Sequence, residues 1–286
     1  MKEILPVIVL YRTKLTESNA FLSISANKNL KRFINQLFVY DNSPESPAEP
    51  DLGKNADLEV IYVSDTSNPG VSAAYNAAVR RATAGGFKRV LLFDQDTYVP
   101  DDFFETLFDA IRNAGSQVLF APTLLNDSLI FSPCRFRLNR GFPLEKKLAP
   151  GVFSLQEYVP VNSGLCVTVE AYNRAGGYDE RIPLDFSDFD FVERLKRAGL
   201  QEFVVTSSDC RHSLANVDDQ ALGSLLNRFR YFCLGAYYYE RSFPGWLDRA
   251  KVKLILFLRF VRLTIKCKTM KFLPVYLSGP AAIAKG

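Results

Sequence analysis

An open α/β sheet of mainly parallel strands, with a small mixed extension and a helical C-terminal appendage, is the architecture this sequence predicts. Three observations lead to it. Short apolar runs alternate with segments of helical spacing through the first half, each run ends in turn-forming polar residues, and the second half changes to brief apolar runs between longer loops.

Ile4 to Tyr11 is almost wholly apolar and rich in β-branched residues, as a strand covered on both faces requires. Leu22 to Leu37 is polar with helical spacing and is expected to be a helix. Leu37 to Tyr40 then runs into Asp41-Asn42-Ser43-Pro44, a strand delivering its end to a turn rich in side-chain caps. Leu58 to Val63 repeats the pattern, Asn68-Pro69-Gly70 stops the chain, and Ser72 to Ala84 reads as an alanine-rich helix ending at Gly85-Gly86. Arg89 to Phe93 is a further buried strand, ending in Asp94-Gln95-Asp96. In open sheets of this kind ligands sit beyond the carboxyl ends of the strands. Tyr11-Arg12, Asp41-Asn42, Asp65 to Gly70 and Asp94 to Asp96 are therefore expected to share one crevice. Farther on, Val118 to Phe120, Tyr158 to Val161 and Phe203 to Val205 are expected short strands, and residues 124–157, with little periodicity, a mobile loop.

The 286 residues can bury one sizeable core and an appendage, and the 48% hydrophobic and 23% charged composition is that of a globule. Five scattered cysteines without a CxxC pair read as reduced thiols in an intracellular protein. The N-terminal apolar run lacks a signal-peptide cleavage site and no segment has the length of a membrane span, so export and integral insertion are not expected. The net charge of +4 conceals an asymmetry, for Arg249 to Gly286 holds nine Lys or Arg and no Asp or Glu. A local partner for that tail is expected.

Two carboxylates at alternate positions just past a buried strand, Asp94 and Asp96, are costly without a counter-charge, and Mg²⁺ or Mn²⁺ with a diphosphate would supply it. A solvated turn capping the next helix accounts for the tripeptide equally well when it is taken alone. Its neighbours add three elements in order: Tyr11-Arg12 after the first strand, Asp41 after the second, and the segment Asn68-Pro69-Gly70-Val71-Ser72-Ala73-Ala74-Tyr75-Asn76. From Ile4 to His212 this order resembles the family-2 inverting glycosyltransferases with the Rossmann-like GT-A fold. The resemblance implies that Asp41 holds the base or ribose of a nucleotide and that Asn76 lies near it. It also implies that Asp94 and Asp96 serve ribose and a metal diphosphate, and that Tyr11, Arg12, Asn68 and Gly70 line the nucleotide-sugar site. Val161-Asn162-Ser163-Gly164-Leu165 resembles the family's donor-sugar segment, through Asn162 and Gly164, and could also be a strand bulge.

Leu184 to Gly199 resembles the acceptor-side motif of the rhamnosyltransferase-like branch, with Asp188 at the general-base position and Asp185 and Asp190 beside it. Inverting transfer needs a carboxylate to take the acceptor proton, and a helix N-terminus would hold Asp188 as the anion. Helix capping, with Arg194 as partner to Asp190 and Glu193, is the alternative reading. His212, the single histidine, is expected just past the last strand, where the family resemblance implies it faces the metal or diphosphate. Tyr237 to Arg241 partly matches a family segment in which Ser242 replaces an asparagine; Arg241 is the acceptor-side candidate there. Lys251 to Lys268 has helical period, with Lys251, Arg259, Arg262 and Lys266 on one side and Leu254, Phe257, Phe260 and Val261 opposite. Such a helix suits an anionic membrane surface, or packing on the catalytic domain or on a second copy in a homodimer.

The resemblance implies a GT-A catalytic domain over residues 1–215, its nucleotide-binding half about 1–115 and its acceptor half about 116–215, followed by a basic helical extension over 216–286. The expected activity is metal-dependent inverting hexosyl transfer, first rhamnose from dTDP-rhamnose, with dTDP or UDP as nucleotide. The expected acceptor is a lipid-linked or surface-polysaccharide glycan at the inner face of the cell membrane, and nucleic acid is not an expected partner. Two alternatives are a sugar-1-phosphate nucleotidyltransferase, for which the Gly-rich loop after Tyr11 is lacking, and a non-catalytic membrane-surface binding protein.

Overall fold

The computed structural model describes residues 3–45, 58–127, 129–212 and 221–279. Its centre is a parallel run of four strands: β1 (Ile4–Leu10), β2 (Gln36–Asp41), β3 (Glu59–Ser64) and β4 (Arg89–Asp94), in the order β3-β2-β1-β4. Every residue of β1 is buried, and its side chains part by the two-residue alternation of a strand. Leu5, Val7 and Val9 enter one core with Ala74, Tyr75, Ala78 and Val79 of α2 (Val71–Gly85). Ile4, Ile8 and Leu10 enter the other, with Phe21 and Ile24 of α1 (Asn19–Ser25) and Phe103, Phe104 and Leu107 of α3 (Phe103–Asn113). A strand with helices on both faces has no solvated side, which is why it reads as a continuous apolar run. Gly86, in the left-handed conformation at φ 72°, closes α2 where the Gly-Gly pair predicts.

The helix expected from Leu22 to Leu37 is not formed. α1 stops at Ser25, a single 3-10 turn spans Leu30–Arg32, and β2 has begun by Gln36. Asn27 breaks the helix: its amide donates to the Asp101 carbonyl at 2.8 Å and its side-chain oxygen accepts from Asn29 N–H at 3.0 Å. Local bonds of this kind compete with the helical ladder.

Beyond β4, β5 (Thr97–Tyr98) is brief, and the sheet continues through β6 (Leu119–Asn126) and β11 (Leu165–Thr168), with β11 antiparallel between β4 and β6. Residues 124–157 are not a mobile loop. β7 (Leu129–Arg137) and β8 (Arg140–Leu144) form a hairpin on β6, β9 (Gly151–Ser154) pairs with β12 (Glu202–His212), and β10 (Tyr158–Val159) pairs with β7. Their order comes from partners distant in sequence, and register irregularities in two of these ladders erase the local alternation. The strand foreseen at Tyr158 to Val161 is reduced to β10. β12 far exceeds the expected Phe203 to Val205, because its polar continuation from Thr206 pairs with β6 past a register shift between Val205 and Asp209.

α4 (Val169–Arg174) and α5 (Ser187–Arg197) cover the α2 face, where Tyr172, Phe191, Val192 and Leu195 join the core. α6 (Leu222–Tyr239), α7 (Trp246–Cys267) and α8 (Phe272–Leu277) pack together through Leu225, Phe229, Phe260, Leu263 and Phe272. A second cluster of Ile182, Phe186, Ala236, Tyr239, Phe243 and Val252 joins them to the segment preceding α5. The expected domain boundary near residue 215 lies outside the described residues. Four of the cysteines are buried and all five are free thiols.

The apolar side expected of α7 is rotated. Val252, Phe260 and Leu263 are its buried residues, whereas Leu254 and Phe257 are exposed. Apolar residues run almost all round this helix, so the surface offered by α6 and α8 chooses the packed face. Among the described residues no helix is long and apolar enough to cross a membrane.

Candidate active site

The carboxyl ends of β1, β2 and β4 are laced together. Tyr11 N–H donates to Gln95 Oε1 at 2.7 Å, the Gln95 amide donates back to the Tyr11 carbonyl at 3.3 Å, and Arg12 N–H donates to Ser43 Oγ at 2.7 Å. Arg12, at φ 53°, turns its guanidinium over the Tyr11 ring, 5.3 Å from the centroid. Asp41 is 1% exposed, its carboxylate accepting from Ser43 N–H at 2.8 Å and from the Tyr62 hydroxyl. Asp41 thus forms the Asx-turn and is also the buried base of this rim.

Asp65, after β3, accepts from Tyr40 at 2.7 Å and from Ser67 Oγ and N–H, and these bonds hold its carboxyl below the usual range. Asn68, at φ 51°, lies with its amide 3.5 Å from the Tyr231 hydroxyl of α6. Gly70, at φ 92°, meets the Pro183 carbonyl so closely that a Cβ would overlap it, and Val71 N–H donates to that carbonyl at 2.8 Å. Asn76 has no hydrogen-bonding position left for a nucleotide. Its oxygen accepts from Tyr172 and from Tyr178 N–H, and its amide donates to the Tyr178 carbonyl and to Glu180, so it is a strut between α2 and the 177–180 segment.

At the end of β4, Asp94, Asp96 and His212 each offer one ligand atom, and the three atoms lie within 4.8 Å of one another. His212 is the last residue of β12 rather than past it, with Nδ1 3.4 Å from Asp96 Oδ1 and 2.8 Å from Thr97 Oγ1. Thr97 in turn meets Ser163 Oγ at 2.5 Å, and Ser163 accepts from Asp94 N–H at 3.2 Å. Tyr75 donates to Asp94 Oδ1 at 3.0 Å. Burial and the negative charge of Asp94 push the Asp96 carboxyl up, against the pull of His212. Two mutually repelling carboxylates and an imidazole are a donor set that suits a divalent cation, which would remove the repulsion. Tyr75, Gln95, Thr97 and Ser163 are not among the residues the motifs single out, although all four lie inside or next to those motifs.

Across the cleft, Phe186 at φ 72° turns the chain into α5, its ring held between Phe232 at 4.8 Å and Tyr239 at 5.3 Å. Gly235 of α6 lies so close that a Cβ would overlap the Asp185 carbonyl. Asp188 follows in the first turn and accepts from Phe189 N–H at 2.9 Å. The expectation that the helix dipole keeps it ionised is overturned. Burial pushes its carboxyl up to about 7, aided by the charges of Asp185 and Asp94, and the backbone donors only partly offset this. The influence of Asp94 means that the two carboxyls lie near one another.

Asp185 pairs with Arg228 at 3.0 Å. Asp190 turns away from the cleft: it is 1% exposed and bonds Arg194 at 2.7 Å and the Ser242 hydroxyl. Arg194 also reaches Asp179 at 2.9 Å, so this is a brace between α5, the preceding segment and the end of α6. Arg241 is exposed, donating to the Tyr237 carbonyl and lying over that ring at 3.5 Å. Asn162 is fixed by Tyr178 at 2.6 Å and by Ser187 at 3.4 Å. Gly164, at φ 78°, leaves no room for a Cβ against Pro122, and its N–H donates to the Leu92 carbonyl at 2.7 Å.

Residues 21–129 match the family described as Glycosyl transferase family 2. The dTDP-rhamnosyl transferase RfbF of Shigella flexneri is 23% identical over 257 residues, spanning 89% of this chain and 83% of that protein. Among solved structures, TarS 1–349 of S. aureus in complex with UDP-GlcNAc superposes with a TM-score of 0.56 at 15% identity, covering 92% of this chain and 73% of that one. GalNAc-T7 with UDP, GalNAc and Mn²⁺ gives 0.54 at 12% identity, over 93% of this chain and 58% of its own. These likenesses are of fold. With the sheet order and the acidic ends of its strands in agreement, the chain has a GT-A-like fold, and its residues 21–129 carry the match to glycosyl transferase family 2.

Proposed function

We propose that the protein transfers a sugar with inversion from a nucleoside diphosphate to a hydroxyl of a lipid-linked or surface-polysaccharide glycan, with rhamnose from dTDP-rhamnose as the first choice of donor. What supports this reading is an acidic cluster of Asp94, Asp96 and His212 together with a buried carboxyl, Asp188, that lies near enough to feel the charge of Asp94. The rhamnosyl transferase RfbF supports the choice of sugar.

Asp94, Asp96 and His212 would hold Mg²⁺ or Mn²⁺, which when bound supplies positive charge for a diphosphate leaving group. Tyr75 and the Ser163–Thr97 pair keep two of these side chains in place. The rim from Tyr11 to Ser43 is the surface proposed for the nucleotide. Asp188 takes the proton of the acceptor hydroxyl as its oxygen bonds to the anomeric carbon and the bond from that carbon to the diphosphate breaks. A carboxyl with its pKa near 7 suits that task, because it is basic enough to receive the proton while about half of it is ionised at neutral pH. We also assign α7 to a membrane surface on the cytoplasmic side. It turns Trp246, Leu247, Leu254, Leu258 and Ile265 outward, away from its packed face.

Calorimetry with dTDP and UDP, with and without Mn²⁺, tests the donor side, and Asp188→Asn tests the base. The expected result is metal-dependent nucleotide affinity in both proteins with transfer lost only in the variant. Full turnover by the variant, or nucleotide affinity indifferent to metal, overturns the corresponding assignment.

A further inference from the structure

Four arginines from three elements gather beside the acid at the acceptor end of the cleft. Arg140 opens β8, Arg228 lies on α6, and Arg259 and Arg262 lie on α7. The hairpin tip carrying Arg140 is fastened to α7 by Asn139, whose amide donates to the Asp248 carbonyl at 3.1 Å. Arg228 reaches Asp185 at 3.0 Å. Arg259 lies over Phe232, 5.5 Å from its centroid, and Phe232 packs on Phe186, between Asp185 and Asp188 in the chain.

Charge in this cluster is out of balance. Among the described residues, Asp185 is the single acid in ion-pair range of any of the four guanidinium groups. Arg259 Nε is buried without a hydrogen-bond partner, as is the second Asp185 oxygen. Partial burial draws the Arg259 guanidinium below its usual range; Asp185 opposes this, while the charges of Arg262, Arg228 and Arg140 add to it. Cations held this close repel one another, and an anion with several acceptor oxygens would relieve the repulsion and use the idle donors. Guanidinium groups present planar, forked donors that match phosphate oxygens. Arg262 also borders the outward apolar row of α7, with Leu258 and Ile265 as its neighbours one turn away on the helix surface.

We propose that Arg140, Arg228, Arg259 and Arg262 form a phosphate site for the acceptor, taking the phosphate or diphosphate that joins the glycan to its lipid. The proposal rests on the glycosyl-transfer reading above and gives it a direction: the sugar-bearing end points to Asp188 and the lipid to α7.

Titration of the full-length protein with inorganic pyrophosphate, in chelator so that the acidic cluster holds no metal, is the first measurement. Binding is expected in the unaltered protein and at least about tenfold weaker in Arg259→Met with Arg262→Met, the scale of one charge-assisted hydrogen bond. The second compares phosphatidylcholine vesicles doped with a polyprenyl phosphate or with phosphatidylglycerol. The double variant is expected to lose preference for the polyprenyl phosphate. Unchanged pyrophosphate affinity, or an equal loss on both vesicle types, overturns the site, the latter because it marks a general anionic-surface patch. Mn²⁺-dependent dTDP or UDP affinity is followed in parallel. Its retention shows the variant folded, and its absence from the unaltered protein would fail the donor reading instead.

Discussion

The acids on the two walls of the cleft are held in opposite ways. Asp94, Asp96 and His212 stand at strand ends, positioned by hydroxyls of Tyr75, Thr97 and Ser163, and their crowding is of like charges beside one imidazole. Asp188 stands in the first turn of a helix after an aromatic corner, without an imidazole beside it; burial is the largest influence on it, as it is on Asp96. In the proposed reading the first arrangement would hold a cation and the second would act as the base. The proposed inverting transfer uses both, because the leaving group gathers negative charge while the acceptor loses a proton.

The sharpest way to break this contrast is Asp188→Asn. It should lower the transfer rate by about 10²–10⁴-fold, the usual range for a positioned general base, with nucleotide affinity within about twofold by calorimetry. Asp96→Asn should do the reverse, weakening Mn²⁺ binding by more than the roughly 10–100-fold that loss of an outer-shell partner costs. Electron paramagnetic resonance of free Mn²⁺ measures that directly. A third prediction concerns pH: kcat/KM should fall tenfold per unit below about 7, as Asp188 becomes protonated. Because its folded-state value lies above 3.8, the stability it contributes is complete below that pH and is lost as pH rises towards about 7. Asp188→Asn should therefore raise Tm in mildly alkaline buffer and not in acid, as a melting series will show.

The brace behind Asp188 gives smaller effects. Gly235→Ala pushes a Cβ onto the Asp185 carbonyl, and should cost about 1–3 kcal/mol of stability by overpacking and lower kcat while leaving metal-dependent nucleotide affinity intact. Ser242→Ala removes one donor to buried Asp190 and should cost about 1 kcal/mol in denaturant melts. Equal loss on the donor and acceptor sides in either variant would show that the two walls are not independent.

Much of the parallel first half of the chain was readable in advance. β1, β2, β4 and α2 are announced by local composition, since a strand covered on both faces must be apolar throughout and a helix ending at paired glycines must stop there. The pairing of Asp94 with Asp96 was legible for the same reason. Asn76 and Asp190 were legible as residues but not as parts. One is spent within the protein as a strut, which spacing does not reveal; the other pairs with Arg194 as the capping alternative expected, and only its bond to Ser242 lies beyond what spacing gives. The hairpin over residues 129–144 escaped notice because its order comes from pairing with β6 and from Cys134, whose Sγ fills the space a side chain at Gly141 would need.

Local chemistry, written in runs of neighbouring residues, thus sufficed for the parallel strands, the helix after Gly70 and the acids at the strand ends. Folding had to settle the rest: His212 beside Asp96, the ionisation of Asp188 and the outward face of α7. Each of those depends on burial and charge contributed by residues far away in the chain, and neither quantity exists until those residues are packed together.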